Sequence, residues 1–159
     1  MLVEALETDV LTALEELVDH LPVAVDADQL ARAHRLREAI LAKTMEPLGA
    51  FDELLLYQLT KAASSAQFLE RCAGLAPGEA RASVILARKL KAMPQTEAAW
   101  IAGTITSGQV RAIAVNVTKR LAERYTADEA AVLRICGSAR RQRNRSGDAA
   151  LGQLHPSIC

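Results

Sequence analysis

Apolar residues recur at three- and four-residue steps along most of this chain, which is the period of an amphipathic α-helix. The first such run extends from Leu2 to His20, and Pro22 breaks it. A second helix is predicted to open at Asp26, because Asp26 and Gln29 have the spacing of a capping box. The predicted buried face of this second helix consists of Leu30, Ala33, Leu36, Ile40 and Leu41.

Proline and glycine divide the middle of the chain. The segment EPLGAF, residues 46–51, is expected to interrupt the second helix, which resumes over residues 51–60. A short helix over residues 65–72 should end at Gly74, which suits a helix C-cap. Pro77 then lies in the first turn of a longer helix, where its missing N–H has no cost. That longer helix is predicted to bury Ala80, Val84, Ala87 and Leu90.

The stretch PQTEAAWIAGTITSGQVRAI, residues 94–113, predicts two helices joined by a tight turn. The first covers residues 95–102 and stops at Gly103. Thr106 and Gln109 form a second capping box, which opens the next helix. The apolar face of that helix is predicted to be Val110, Ile113, Val117 and Leu121.

These patterns predict an all-α fold. Thr126 and Glu129 have the spacing of a third capping box and predict one more helix start, and no segment has the alternation of a strand. We expect a single irregular multi-helix domain over residues 1–141, with a helix–turn–helix-like corner at about 94–123. Residues 142–159 form a divergent basic tail in which disorder is expected.

Composition and charge add two constraints. Half of the residues are apolar but only 3% are aromatic, so the core must consist of Leu, Ala, Val and Ile, which suits helix packing. The formal net charge of zero hides an asymmetry, since residues 1–31 contain eight acidic and no Lys or Arg residues, and the remainder has a net charge of +8. This asymmetry is explained either by a polyanionic partner or by the two halves packing against each other.

The cysteines and the N-terminus indicate a compartment. Cys72, Cys136 and Cys159 are scattered and odd in number, which argues against a disulfide framework and against a zinc site. The acidic N-terminus is neither a signal peptide nor a transit peptide. No apolar run approaches the ~20 residues of a membrane span. We therefore expect a cytoplasmic protein with no membrane partner.

Catalytic chemistry has little support in the sequence. His20, His34 and His155 lie in separate segments, without a Cys or Asp at a metal-ligand spacing. The adjacent carboxylate pairs of the sequence point to different helix sides and suit a solvated surface. The segment GLAPGEA lacks the glycine spacing and the Lys-Ser/Thr ending of a phosphate loop. No catalytic, cofactor-binding or metal-binding residue is predicted.

The predicted corner is the one constellation that suggests nucleic-acid binding. A helix–turn–helix needs small residues where its helices cross and a glycine in its turn, and Ala98, Ala99 and Gly103 meet this description. Ile105 and Val110, which should flank the turn, lie one position late for the usual motif. Both DNA reading and a purely architectural corner remain open.

Several basic residues could contact phosphates, although they do not form one stripe. Arg111 and Arg120 lie on roughly opposite sides of a helical wheel. The candidate nucleic-acid-binding residues are Arg81, Arg88, Lys89, Arg111, Lys119, Arg120 and Arg124.

Residues 73–114, AGLAPGEARASVILARKLKAMPQTEAAWIAGTITSGQVRAIA, resemble the 13E12 repeat family, whose domain is known as domain of unknown function 222. The likeness extends more loosely over residues 28–136. Phe68 departs from the family's usual Trp, and Ala76 from its frequent Ser. The matching positions are Gly74, Leu75, Ala76, Glu79, Ala80, Ala87, Arg88, Leu90, Met93, Pro94, Ala99, Gly103, Ile105 and Thr106.

The resemblance implies an all-helical domain that in many members continues into an HNH nuclease domain. The paired-His nuclease motif is absent from this sequence, so we expect a truncated copy that does not cut DNA. The resulting hypothesis is a non-catalytic, nucleic-acid-associated module, the targeting part of an HNH nuclease-type protein. The alternative is a protein-interaction or oligomerisation module that uses the acidic Leu-rich N-terminal helix to bind itself or another helical protein. An independent enzyme has no supporting residue.

Overall fold

The computed structural model describes residues 2–21, 26–118 and 120–136, with residues 2–9 described by their backbone alone. Within these ranges the chain is helical and contains no strand, so the all-α prediction is confirmed. No helix in the described ranges is long and apolar enough to span a bilayer. The predicted tail, residues 142–159, lies outside the described residues. Two compact units are distinguished, residues 1–34 and 35–159.

The first unit contains helix α1, Leu2–Asp19, and the first half of helix α2, Ala27–Lys43. The Asp26 carboxylate accepts a hydrogen bond from the backbone N–H of Gln29 at 3.0 Å, which is half of the predicted capping box. All side chains of residues 10–21 and 26–34 are exposed. This unit therefore contains no buried side chain among those described.

The second unit contains the end of α2 and the remaining helices. Helix α8 covers residues 122–136. The other elements are α3 (Met45–Glu53), a 3₁₀ helix (Leu56–Thr60), α4 (Ser65–Cys72), α5 (Pro77–Leu90), α6 (Pro94–Ile101) and α7 (Ser107–Asn116).

Helix α5 is the central element of the second unit, because it packs against α3, α4, α6 and α7. Its predicted inward residues, Ala80, Val84, Ala87 and Leu90, are all buried. Gly49 of α3 faces the backbone of α5: a Cβ atom at position 49 would lie 3.1 Å from Lys91 Cε and 3.5 Å from the Ala87 carbonyl oxygen. The absence of a side chain at Gly49 therefore allows α3 and α5 to approach closely.

The predicted buried face of α2 is wrong except at Leu41, which is partly buried against the core. Leu30, Leu36 and Ile40 are 49–56% exposed, and Ala42 is the buried residue of this helix. Helical periodicity identifies a stripe of apolar residues but does not determine which part of that stripe another element covers. In α2 partial burial begins only at Glu38, and Ala42 alone is fully buried.

The predicted interruption at EPLGAF is also wrong. Helix α3 runs through this segment, and the break lies earlier, at Thr44. Pro47 is the third residue of α3, where backbone N–H groups have no intrahelical partner, so it is tolerated. The residues expected to resume the helix form the end of α3, a turn and the 3₁₀ helix instead.

Helix α7 ends sooner than its apolar pattern predicts. Val117 is its C-cap in an extended conformation (φ −80°, ψ 93°), and Leu121 lies beyond it with 46% exposure. Residue 119 is outside the described residues, and α8 begins at residue 122. Thr126 therefore lies inside α8, and the predicted third capping box is wrong.

The cap of α5 supports a stability prediction. Ala76 is the exposed N-cap in an extended conformation (φ −62°, ψ 145°) and makes no side-chain cap hydrogen bond, while Glu79 lies in the first turn. Serine at this position can accept a backbone hydrogen bond, so Ala76→Ser should stabilise the chain by about 0.5–2 kcal/mol. Thermal unfolding should show a melting temperature raised by about 1–8 °C. An unchanged melting temperature for Ala76→Ser would contradict the cap.

Candidate functional site

The predicted corner is present, formed by α6, a turn and α7. Gly103 has a left-handed conformation (φ +69°), which glycine adopts without strain. Ile105 follows at 2% exposure and anchors the turn in the core. Thr106 is the N-cap of α7, and its predicted capping box with Gln109 is confirmed in both directions. The two helices and the turn of the predicted corner are therefore present, and the groups at its helix ends determine what it can bind.

The N-terminus of α7 is occupied by a carboxylate from α2. Glu38 accepts hydrogen bonds from the backbone N–H of Ser107 (2.8 Å) and from its hydroxyl (2.9 Å). It also accepts one from the indole N–H of Trp100 at 3.1 Å. Partial burial raises the pKa of Glu38, but these hydrogen bonds outweigh burial and hold the pKa below its ordinary value. An ionised carboxylate thus fills the position where a reading helix would receive a phosphate.

The C-terminus of α7 is held by a cation from α5. The ammonium group of Lys89 donates hydrogen bonds to the carbonyl oxygens of Ala114 and, at 3.1 Å, Val117. A positive charge at this end complements the helix dipole and satisfies carbonyls that lack an intrahelical partner. Lys89, a predicted phosphate contact, is therefore half-buried and engaged within the fold.

Helix α6 is capped in a similar way by Glu129 of α8. Met93, its N-cap residue, makes no side-chain cap hydrogen bond. Glu129 Oε1 instead accepts from the Thr96 backbone N–H (2.6 Å) and hydroxyl (2.7 Å), and Tyr125 OH lies 2.7 Å from that hydroxyl. Glu129 is fully buried, and its Oε2 has no hydrogen-bond partner. The carboxylate predicted to cap its own helix therefore caps a different one.

The other predicted phosphate contacts are not gathered on one surface. Arg88 is paired with Asp52 through two hydrogen bonds, Nε to Oδ2 at 2.6 Å and Nη2 to Oδ1 at 3.0 Å. Ser65 donates a further hydrogen bond to Asp52. The Arg88 guanidinium holds the pKa of Asp52 below its ordinary value. Because Asp52, Ser65 and Arg88 belong to α3, α4 and α5, these hydrogen bonds link the three helices. Arg81, Arg111, Arg120 and Arg124 are exposed on different elements, and Lys119 lies outside the described residues.

An apolar groove of about 490 Å³ lies between α7 and α8, and no sequence pattern pointed to it. The groove forms because α7 ends at Asn116 and α8 turns back beside it. Its polar lining is provided by Gln109, Asn116, Arg124, Tyr125 and Asp128. Its apolar lining consists of Ala112, Ile113, Val117, Leu121, Val132 and Cys136. The groove is therefore mainly apolar, with five polar or charged residues in its lining.

Catalytic groups do not converge within the described residues. No cluster of three or more His, Cys, Asp or Glu side chains there could hold a metal ion. Burial raises the pKa of Glu97, and the nearby Glu46 carboxylate adds to this, but no nucleophile is hydrogen-bonded to either residue. The carboxylates of Glu38, which is partly buried, and of Glu129, which is fully buried, are already bonded to helix ends. What the described residues offer is a surface to which another molecule can bind.

No protein-family model, curated protein or solved structure matches this chain significantly. The resemblance to 13E12 repeats therefore stays a prediction.

The cap formed by Glu38 has a pH dependence that can be measured. Because the folded-state pKa of Glu38 is lowered, its contribution to stability is complete above the ordinary value of 4.5 and is lost as the pH falls through the folded-state value. Glu38→Gln should reduce the free energy of unfolding by about 1–2 kcal/mol at pH 7. Urea unfolding at pH 7 and pH 3 should show this difference shrinking at the lower pH. A difference independent of pH would contradict an ionised cap.

Proposed function

We propose that the chain is a non-catalytic helical module that associates with itself through helix α1. The observation that carries this proposal is the exposure of the α1 leucine face. Five large apolar side chains of α1 and Leu21, just beyond its end, are 38–69% exposed; the five are Val10, Leu11, Leu14, Leu17 and Val18. A contiguous apolar surface of this kind is typical of an interaction site.

The physical argument for association is the weakness of an uncovered amphipathic helix. Helix α1 has 18 residues and none of its described side chains is buried, whereas most helical stability in proteins comes from packing of an amphipathic face. Covering a leucine side chain contributes roughly 1.5–3 kcal/mol, so a partner for this face stabilises both the helix and the complex. Val10, Leu14 and Leu17 lie on one side of α1 at the spacing with which a helix fills a groove.

Light scattering tests this proposal. The full chain should have a mass above 17.1 kDa at tens of micromolar, and Leu14→Ser with Leu17→Ser should return it to that monomer mass. Leu14→Met with Leu17→Met is the matched control, because it keeps both positions apolar and should remain associated. Circular dichroism verifies that all three proteins are helical. A monomeric parent would refute self-association.

Nucleic-acid association is the second candidate, as the targeting part of an HNH nuclease-type protein. It is favoured by Arg81, Arg111, Arg120 and Arg124, which are exposed and form no ion pair among the described residues. The carboxylate of Glu38 at the N-terminus of α7 argues against base reading by the corner, so any binding would follow the phosphates.

Fluorescence anisotropy with duplex DNA tests this second candidate. Phosphate-driven binding should weaken steeply between 50 and 200 mM salt. Arg111→Gln with Arg120→Gln should weaken it further, whereas Arg88→Gln should not, because Arg88 is already paired with Asp52. No binding at 50 mM salt would exclude the candidate.

The cytoplasm is the compartment that we propose for either function. Cys72 and Cys136 are unpaired thiols in the described part of the chain. Oxidising compartments favour disulfides, and reducing ones keep such thiols free.

A further inference from the structure

Helix α2 has an uncovered apolar stripe on the side that faces away from the core. Leu36 and Ile40 are 56% and 49% exposed, and Ala33 is also exposed. On a helical wheel these three residues lie within about 60° of each other. Glu38, which is hydrogen-bonded to α7, lies roughly 160° round the helix from Leu36. The stripe is therefore a surface of α2 that the core does not use.

Basic side chains border this α2 stripe on both sides. Arg32 lies about 40° from Leu36 on one side, and Arg37 lies about 60° from Ile40 on the other. Arg37 remains 70% exposed although one of its nitrogens lies 3.6 Å from Glu38, the one acidic residue between positions 32 and 43. The α2 face is therefore apolar in the middle and basic at its edges. The exposed Lys and Arg residues of this range are Arg32, Arg35, Arg37 and Lys43.

Helix α1 carries the opposite charge. It contains six acidic residues and no Lys or Arg. Among them Glu15 is exposed and borders the leucine face, about 40° round the helix from Leu11. Two α1 helices facing each other would bring like charges together, whereas α1 against α2 brings an acidic surface to a basic one. Charge complementarity therefore favours α2 as the partner of α1.

The spacing of the two apolar stripes also matches when the helices are antiparallel. Read from its C-terminal end, the α1 face has exposed apolar side chains at positions 17, 14 and 10, which are steps of three and four residues. Read from its N-terminal end, the α2 stripe has the same steps, at positions 33, 36 and 40. The facing pairs are then Leu17 with Ala33, Leu14 with Leu36 and Val10 with Ile40.

We propose that α1 of one copy packs antiparallel on the α2 stripe of a second copy. This proposal rests on the self-association proposed above and names the surface that receives α1. The side chains of residues 10–21 and of the α2 stripe are exposed, so a second copy can cover both. In this packing the edge of α1 with Glu15 faces the edge of α2 with Arg37. Added salt should then weaken the dimer, because these edge contacts are exposed.

A charge exchange tests the facing edges. Glu15→Lys or Arg37→Glu alone places like charges together, and a two-fold symmetric dimer contains the pair twice, so each should raise the dimer Kd about tenfold. Both substitutions in one chain restore the attraction and should return the Kd to that of the parent. Arg35→Glu is the matched control, because Arg35 is exposed on the side of α2 away from Arg37 and its reversal should raise the Kd far less. Sedimentation equilibrium measures the Kd of each protein.

Cross-linking tests the facing positions. All native cysteines are replaced by serine, and one copy then carries Leu14→Cys and the other Leu36→Cys. Each copy has a single thiol, so a disulfide between positions 14 and 36 joins two copies. Mass spectrometry after oxidation of the mixture should find this disulfide as the main product. His34→Cys, at an exposed position roughly 160° round the helix from position 36, is the matched control and should cross-link to position 14 far less.

The outcomes separate the two proposals. A monomeric parent overturns self-association and this inference together. A dimer that ignores Arg37→Glu and cross-links mainly between two positions 14 overturns the α2 surface alone, because α1 then pairs with α1. A chain with both Leu14→Cys and Leu36→Cys that closes the disulfide within a monomer also overturns it, because α1 then packs on its own α2. A dimer that is weakened by either charge reversal, restored by both and cross-linked between positions 14 and 36 supports both proposals.

Discussion

Replacing Trp100 with alanine is expected to lower the free energy of unfolding by about 3–5 kcal/mol. Trp100 is the largest fully buried side chain and is 1% exposed. It fills the core between the end of α2, α5 and α7, with Met45, Leu90 and Val110 in the same cluster. Alanine leaves a cavity there and removes one hydrogen bond donor from Glu38. Urea unfolding followed by circular dichroism measures the loss. Tryptophan fluorescence is unsuitable here, because Trp100 is the only tryptophan and the variant lacks it.

Trp100→Phe separates packing from hydrogen bonding. Phenylalanine keeps most of the buried aromatic surface but has no N–H for Glu38, so its loss should be well below that of alanine. A loss of less than about 1 kcal/mol for Trp100→Ala would show that position 100 does not support the core.

Glu129→Ala should have the next largest effect, a loss of about 2–4 kcal/mol. The substitution leaves the backbone N–H of Thr96 without its acceptor in a fully buried position, removes one of the two partners of the Thr96 hydroxyl, and creates a cavity. The N-terminus of α6 then has no cap, because Met93 makes none. Trp100 fluorescence during urea unfolding is the measurement, as the indole lies on the same helix.

Glu129→Gln is the matched control for that experiment. Glutamine keeps one oxygen to accept both hydrogen bonds from Thr96 and places an amide N–H₂ where Oε2 has no partner. Its loss should therefore be smaller than that of alanine. Equal losses for the two variants would mean that the acceptor contributes nothing to the capping of α6.

The sequence predicts local structure well where backbone chemistry decides it. Pro77, Gly103 and the pair Thr106–Gln109 determine helix ends through a missing N–H, a left-handed backbone and a reciprocal cap, each local to a few residues. The buried face of α5 is predicted for a related reason. Helix α5 has neighbours along its length, so its apolar stripe and its covered side coincide.

Burial and side-chain partners depend on residues distant in the chain, and there prediction fails. Glu129 and Thr126 have the spacing of a cap, but α8 already begins four residues before Thr126, and Glu129 bonds to Thr96, 33 residues away. The stripe of α2 is regular although most of it remains exposed. In the sequence Pro47 suggests a helix break. The helix begins at Met45, however, so Pro47 lies in the first turn, where proline is tolerated.

The candidate site shows the same difference between features that are local in the chain and features that depend on distant residues. Sequence identifies Arg88 and Lys89 as cations but not Asp52, Ala114 and Val117, which bind them. The groove has no local signal, because α7 and α8 line it together after a break at residue 117 that the apolar pattern passes over. The exposed leucines of α1 have a visible pattern, although their exposure is a property of the fold.

Both ends of helix α7 are held by hydrogen bonds to side chains of other helices. Its first turn is hydrogen-bonded to Glu38 of α2, and its last carbonyls are hydrogen-bonded to Lys89 of α5. At each end the side-chain charge is opposite in sign to the partial charge of the helix dipole and therefore stabilises the helix. A helix fixed in this way cannot tilt or slide alone, because either movement breaks a charge-assisted hydrogen bond. A force applied to α7 by a ligand in the adjoining groove is thus transmitted to α2 and α5. Helix α7 therefore couples the positions of α2 and α5 mechanically.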